Sequence, residues 1–144
     1  MNKPKTYFQP QDLSDELPAP GFYPGCVTRA RFGKSAQGNR MLQVVYRLND
    51  VSTPHQQVTD YFVVDGASPQ GVSLGRRRLV QLYRACGFQP SQGDEIEPAE
   101  LIGAHLQVRV EHDEWEGQPR LRVAGYRSYW SEEATARLAS TRPS

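Results

Sequence analysis

The stretch LGRRRLVQLYRACGF, Leu74 to Phe88, sets three consecutive arginines at the head of an apolar repeat. Leu79, Leu82, Tyr83 and Cys86 fall at i, i+3, i+4 and i+7, the spacing that lines one face of a helix. Gly87 stands where a helix-ending glycine belongs, and Ser73 is the expected N-cap after the break at DGASPQG. Such arginines suit a helix that grips a phosphate backbone, and equally a packing helix with a wet side. The neighbouring segments decide between the two.

Three segments upstream alternate with the period of strands. GFYPGCVTRARF puts Cys26, Thr28, Ala30 and Phe32 on one side, with Val27, Arg29 and Arg31 on the other and Gly25 as the bulge position. After the hairpin-type connection GKSAQGN, RMLQVVYRL sets Leu42, Val44, Tyr46 and Leu48 against Gln43, Val45 and Arg47. Asp50 to Pro54 reads as a turn, and QVTDYFVV as a β-branched, aromatic third strand. Downstream, a loop with Pro90, Gly93 and Pro98 leads to one short turn at AELIG. HLQVRVEHDEW then points Leu106, Val108 and Val110 inward against Gln107, Arg109 and Glu111. EGQP is a turn, and RLRVAGY a last strand with Leu121 and Val123 inward and Arg120 and Arg122 outward.

Three strands, a helix, then two strands is the order of the OB-fold, a five-stranded Greek-key barrel. The predicted class is therefore mainly β and OB-fold-like, with the helix between strands three and four. An SH3-like barrel and a generic α+β sheet are the alternatives. In the barrel the helix plugs one end through its apolar face. Arg76 and Arg77 are then solvated or paired with the acidic GDEIEPAE loop, while Arg78 and Arg84 at most extend a basic patch. Residues 1–20 read as a flexible leader, 21–130 as the barrel, and 131–144 as a tail that starts with a helical SEEATARLA.

The 144 residues amount to one domain, and 38% hydrophobic with 23% charged residues is an ordinary globular composition. No apolar run approaches the roughly 20 residues of a membrane span, and the N-terminus lacks the apolar core of a secretory signal. Cys26 and Cys86, without CxxC spacing, read as buried thiols, so the cytoplasm is the expected compartment. Net charge is +1, yet Gly21 to Leu48 carries Arg29, Arg31, Lys34, Arg40 and Arg47 and no acid. The acids gather at Asp12, Asp15 and Glu16, in GDEIEPAE and in EHDEWE. Either the barrel has a basic face, or basic and acidic strands pair across the sheet.

Catalytic patterns are missing. His55, His105 and His112 lack metal-ligand spacing. Asp60, polar in an apolar strand, has the setting of a general base, but without a second carboxylate at fixed spacing it is expected to face outward or to bond a loop backbone. With no phosphate loop, nucleophile elbow or Cys/His pair, no enzyme, cofactor or metal is expected. Binding has better material. An OB barrel offers a sheet face flanked by the loops between strands one and two and strands four and five. Here these are GKSAQGNR, with Lys34 and Arg40, and HDEWEGQP, with Trp115. Lys34, Arg40, Arg47, Arg120 and Arg122 are the candidate phosphate contacts. Tyr61 and Trp115 are the candidate stacking aromatics, at about 1–3 kcal/mol per base. Tyr46 and Phe62 match the core parity, and Asp113, Glu114 and Glu116 around Trp115 oppose phosphate.

LPAPGFYPGCVTRARFGKSAQGNRMLQVVYRL, LGRRRLVQLYRACGF and AELIGAHLQVRVEHDEWEGQPRLRVAGYR together resemble a phage-encoded family of single-stranded-DNA-binding-like proteins. The likeness runs from Leu17 to Tyr126 and rests on the order of its glycines and apolar positions. It implies an OB-fold binder that works beside phage recombination and replication proteins, and it brings no catalytic residue. The expected function is non-enzymatic binding of single-stranded DNA, as a homo-oligomer. The alternative is a protein-interaction or oligomerisation module on the same barrel; RNA and oligosaccharide are further ligand classes for such barrels.

Overall fold

The computed structural model describes residues 4–8, 17–49, 51 and 56–130. The expected turn from Asp50 to Pro54 (Val51 apart), His55, leader residues 9–16 and the expected tail helix lie outside them. Five strands form: β1 (Gly21–Lys34), β2 (Arg40–Leu48), β3 (Gln57–Asp65), β4 (His105–Trp115) and β5 (Gln118–Ser128). One α-helix, α1 (Pro69–Ala85), separates β3 from β4, and a 3-10 turn at Pro98–Leu101 precedes β4. All pairings are antiparallel, in one open sheet of order β3-β2-β1-β4-β5. The edge strands β3 and β5 come back toward each other, and α1 packs across both.

The inward positions make a single core. Leu42, Val44, Tyr46 and Leu48 of β2 meet Phe62 of β3, Leu82 of α1, and Leu106, Val108 and Val110 of β4. None of these side chains is more than 2% exposed. Burying each contributes about 1.5–3 kcal/mol against the entropy of ordering the chain.

β1 corrects the sequence reading. Its bulge lies between Val27 and Arg29, not at Gly25, and leaves Thr28 as the extra residue. The inward parity therefore switches along the strand: Val27 faces the core opposite Tyr46, while Ala30 and Phe32 face it opposite Val44 and Leu42. Arg29 and Arg31 stay outward on both counts.

The helix begins earlier than the sequence reading set it. Ser68, not Ser73, is the N-cap, and its hydroxyl accepts from the Gly71 amide at 3.2 Å. Pro69 then occupies the first turn, where its missing N–H costs nothing. Gly71 looked like part of a break but is the third helical residue. Leu79, Leu82 and Tyr83 are buried as the periodicity requires, and Cys86 is the C-cap before Gly87. Gly75 has a packing reason: a Cβ there would stand 2.1 Å from the Val63 carbonyl oxygen, so α1 lies against β3 backbone to backbone.

At the other end of the fold, Glu116 and Gly117 join β4 to β5 with φ of 51° and 76°, the tight turn that matches strand twist. No helix among the described residues is long and apolar enough to cross a membrane.

Candidate nucleic-acid interface

Cross-strand register arranges the outward residues of β1, β2 and β3 in rows. Gly33, Met41 and Val63 form one, Arg31, Gln43 and Tyr61 the next, then Arg29, Val45 and Thr59, then Cys26, Arg47 and Gln57. No carboxylate stands in these rows. Arg31 Nε donates to Gln43 Oε1 at 3.1 Å, and Gln43 Nε2 donates to the Tyr61 hydroxyl at 3.3 Å. That chain of bonds holds the Arg31 guanidinium beside the Tyr61 ring without neutralising it. Arg29, Arg31, Arg47 and Lys34 are exposed and have no ion-pair partner among the described residues. Tyr61 is 50% exposed, with half-buried Met41, Val45 and Val63 as apolar surface around it. Arg31, Lys34, Met41, Gln43 and Tyr61 line a shallow concavity of about 330 Å³.

A buried polar cluster sits on the core side of the same strand. Asp60 is not outward, as its charge had suggested, but 7% exposed among the inward residues of β3. Its carboxylate accepts from Arg78 Nη2 of α1 at 2.9 and 3.0 Å, from the Tyr126 hydroxyl of β5, and from the Tyr61 amide at 2.9 Å. Arg78 also donates to the Tyr61 carbonyl at 3.3 Å. Burial pushes the Asp60 carboxyl above the usual range, and Arg78 and Tyr126 pull against that rise. Tyr126 is raised by burial and by the Asp60 charge beside it.

This cluster assigns the arginine run a task. β3 is a sheet edge, so part of its backbone has no ladder partner. Arg78 serves the Tyr61 carbonyl, and Arg76 donates to the Val64 carbonyl at 3.0 Å through Nε and 2.8 Å through Nη2. Arg76 and Arg78 of α1, rather than a continued ladder, satisfy this edge, and Tyr126 of β5 closes the seam through the Asp60 carboxylate. Arg76 thus neither floats free nor pairs with the GDEIEPAE loop, and Arg78 is spent on Asp60 rather than on a basic patch. Arg77 and Arg84 remain exposed. By gripping both the amide and the carbonyl of Tyr61, the cluster also fixes the residue whose ring stands out on the opposite face.

The β4–β5 ribbon has a different electrostatic character. Arg120 Nε donates to Asp113 at 2.7 Å, Arg122 pairs with Glu111 and approaches Asp113 at 3.9 Å, and Arg109 pairs with Glu111 at 3.1 Å. The Arg120 hydrogen bond holds the Asp113 carboxyl below its usual range. Trp115, 60% exposed at the ribbon tip, has the Arg120 guanidinium 5.2 Å from its ring centre. The cations of this ribbon are compensated on the spot.

Of the seven residues picked from the sequence, the rows hold Arg47 and Tyr61; Lys34, in register with Arg40 and Asp65 at the strand end, lines the concavity beside Tyr61. Arg40 turns the other way: its guanidinium stacks 4.2 Å over Phe32, in a hollow shared with Asp65, Asp94 and Glu95. Trp115, Arg120 and Arg122 form a separate group beyond the Gly21 end of β1, while Lys34 and Arg40 stand at its other end. Sequence reading passed over Arg29 and Arg31, which the acid-free run from Gly21 to Leu48 already contained. Gln107, expected outward, is 2% exposed, with its amide bonded to Arg127 at 2.7 Å and to the Tyr129 carbonyl at 3.3 Å. Compared with protein-family models and with curated proteins, the sequence matches none.

Proposed function

We propose that this protein is an OB-type barrel that binds single-stranded DNA, without catalysis, on the outer face of β1, β2 and β3. The observation that carries this reading is the set of acid-free rows. Arg29, Arg31 and Arg47 are uncompensated there, Lys34 borders them on the concavity without an ion-pair partner among the described residues, and Tyr61 stands among them with its ring exposed. Cations spaced along strands track a phosphate backbone, and an exposed ring accepts an unpaired base, which a duplex does not present. The barrel assignment is supported by strand order and by the meeting of β3 and β5 beside α1. A place beside recombination or replication proteins of phage type rests on the sequence resemblance alone.

A titration of fluorescent oligo-dT at two or more salt concentrations tests the proposal. Neutralising one phosphate per cation, the four side chains give a slope of log K against log salt of about −3, at roughly −0.7 each. Absence of binding at low salt overturns it. The protein-interaction reading then stands, favoured by one feature, the exposed Trp115 on a charge-compensated ribbon.

A further inference from the structure

The outer face does not end at β2 and β3. Cys26 is the register partner of Arg47 on one side and of His105 on the other. Arg47 and His105 are exposed while their strand neighbours Tyr46, Leu48 and Leu106 are buried, so both side chains leave the sheet on the outer face. Two strand spacings put their backbones about 10 Å apart.

From His105 an aromatic chain runs outward. Its ring is 5.7 Å from Tyr129, and Tyr129 meets Trp130 edge to face at 4.9 Å. Trp130 is 70% exposed. This segment, just past the end of β5, is anchored rather than loose. The buried Gln107 amide donates to the Tyr129 carbonyl, and the Arg127 guanidinium that bonds Gln107 lies 3.8 Å over the Phe22 ring. A large apolar ring held open to solvent by a satisfied buried amide needs a reason, and the core does not supply it.

Building on the single-strand reading above, we infer that His105, Tyr129 and Trp130 form a second base-stacking subsite for the same DNA strand. Tyr61 stacks a base near one end of the track, Arg47 takes a phosphate in the middle, and Trp130 stacks a base beyond it. From Met41 to Arg47 β2 covers about 20 Å, and the step to His105 adds about 10 Å. The strand therefore crosses the sheet obliquely and occupies a site within the span of about 4–16 nucleotides usual for one barrel.

The test uses the full chain carrying Trp115→Phe, which leaves Trp130 as the sole tryptophan. Its emission is followed during titration with unlabelled dT12, alongside the anisotropy of labelled dT12. The expected result is saturable quenching that tracks the anisotropy curve. Trp130→Ala weakens dT12 binding between about 5- and 100-fold, and Trp130→Phe restores most of it. Because Trp130 is exposed, the thermal midpoint of these variants stays at the wild-type value, separating a binding loss from unfolding. Binding by anisotropy with Trp130 emission unchanged and Trp130→Ala at full affinity overturns the second subsite while leaving the first reading standing. No anisotropy change at low salt overturns both.

Discussion

An Asp60→Ala variant is expected to unfold about 6–12 °C below the wild type at neutral pH, a loss of roughly 3 kcal/mol. The substitution removes one acceptor shared by three donors: the Arg78 guanidinium, the Tyr126 hydroxyl and the Tyr61 amide. Breaking a buried ion pair from one side costs about 3–5 kcal/mol, because the other charge stays behind. The lower end applies here, since the Arg78 side chain is 31% exposed and keeps its bond to the Tyr61 carbonyl. Removing the whole cluster is different. Asp60→Leu with Arg78→Met and Tyr126→Phe strands no buried charge, although it leaves the Tyr61 amide and carbonyl without these partners and the buried Tyr46 hydroxyl without that of Tyr126. It is expected to lose clearly less than Asp60→Ala. Thermal unfolding of both variants checks this pair of outcomes, and equal losses from both would contradict the account of the seam.

The pH dependence of Asp60 has the opposite sign from that of a surface carboxylate. Burial raises its pKa in the folded state, so the folded chain takes up this proton more readily than the unfolded one. The proton-linked part of the Asp60 contribution is then complete below about pH 4 and is lost as the pH rises through the raised value, leaving at neutral pH the hydrogen-bonded ion pair that Asp60→Ala removes. The gap between wild type and Asp60→Ala accordingly narrows from acid toward neutral pH. Asp113 runs the other way: Arg120 lowers its pKa, and its contribution is lost as the pH falls through that lowered value.

The second large effect falls on binding. Replacing Arg29, Arg31 and Arg47 by Ala together is expected to weaken oligo-dT binding on the order of 10²–10³-fold at 50 mM salt. With only Lys34 left on the face, the salt slope falls from about −3 to about −1. Stability changes little, because exposed arginines without an ion-pair partner contribute within about 0.5 kcal/mol, and Arg31 gives up only its exposed bond to Gln43. Arg120→Ala with Arg122→Ala removes nearly as much positive charge from the molecule, yet is expected to change affinity less than about twofold. Those guanidiniums already face Asp113 and Glu111, so a phosphate would have to displace a carboxylate at each. A general loss of affinity with net charge, equal for the two variants, would contradict the placement of the site.

Much of the fold was legible because alternation is a local property. β2 could be read residue by residue: its parity never breaks, and Leu42, Val44, Tyr46 and Leu48 are all core. β1 was misread at the point where parity fails, since a bulge at Thr28 adds a residue that no sequence period announces. The start of α1 was hidden by Gly71, which is a breaker in most contexts and a tolerated helical residue here. Asp60 could not be placed, because its burial depends on Arg78 and on Tyr126, far along the chain and brought near only by closure of the sheet.

The site was half legible for the same reason. Composition shows that β1 and β2 carry cations without acids. Only register shows that Arg120 and Arg122 sit opposite Asp113 and Glu111, and that Arg31 sits beside Gln43 and Tyr61. The arginines of LGRRRLVQLYRACGF, the most conspicuous basic run, divide by geometry. Arg76 and Arg78 cap the edge of β3, away from the proposed binding face.

Amide chemical shifts of the isotope-labelled protein, recorded as dT12 is added at low salt, test the location of the site most directly. The expected changes cluster on Arg29, Arg31, Gln43, Val45, Arg47 and Tyr61, with Asp113 to Arg122 unmoved. Changes confined to the β4–β5 ribbon, or none at saturating oligonucleotide, would contradict the assignment of the outer face of β1, β2 and β3 as the DNA-binding surface.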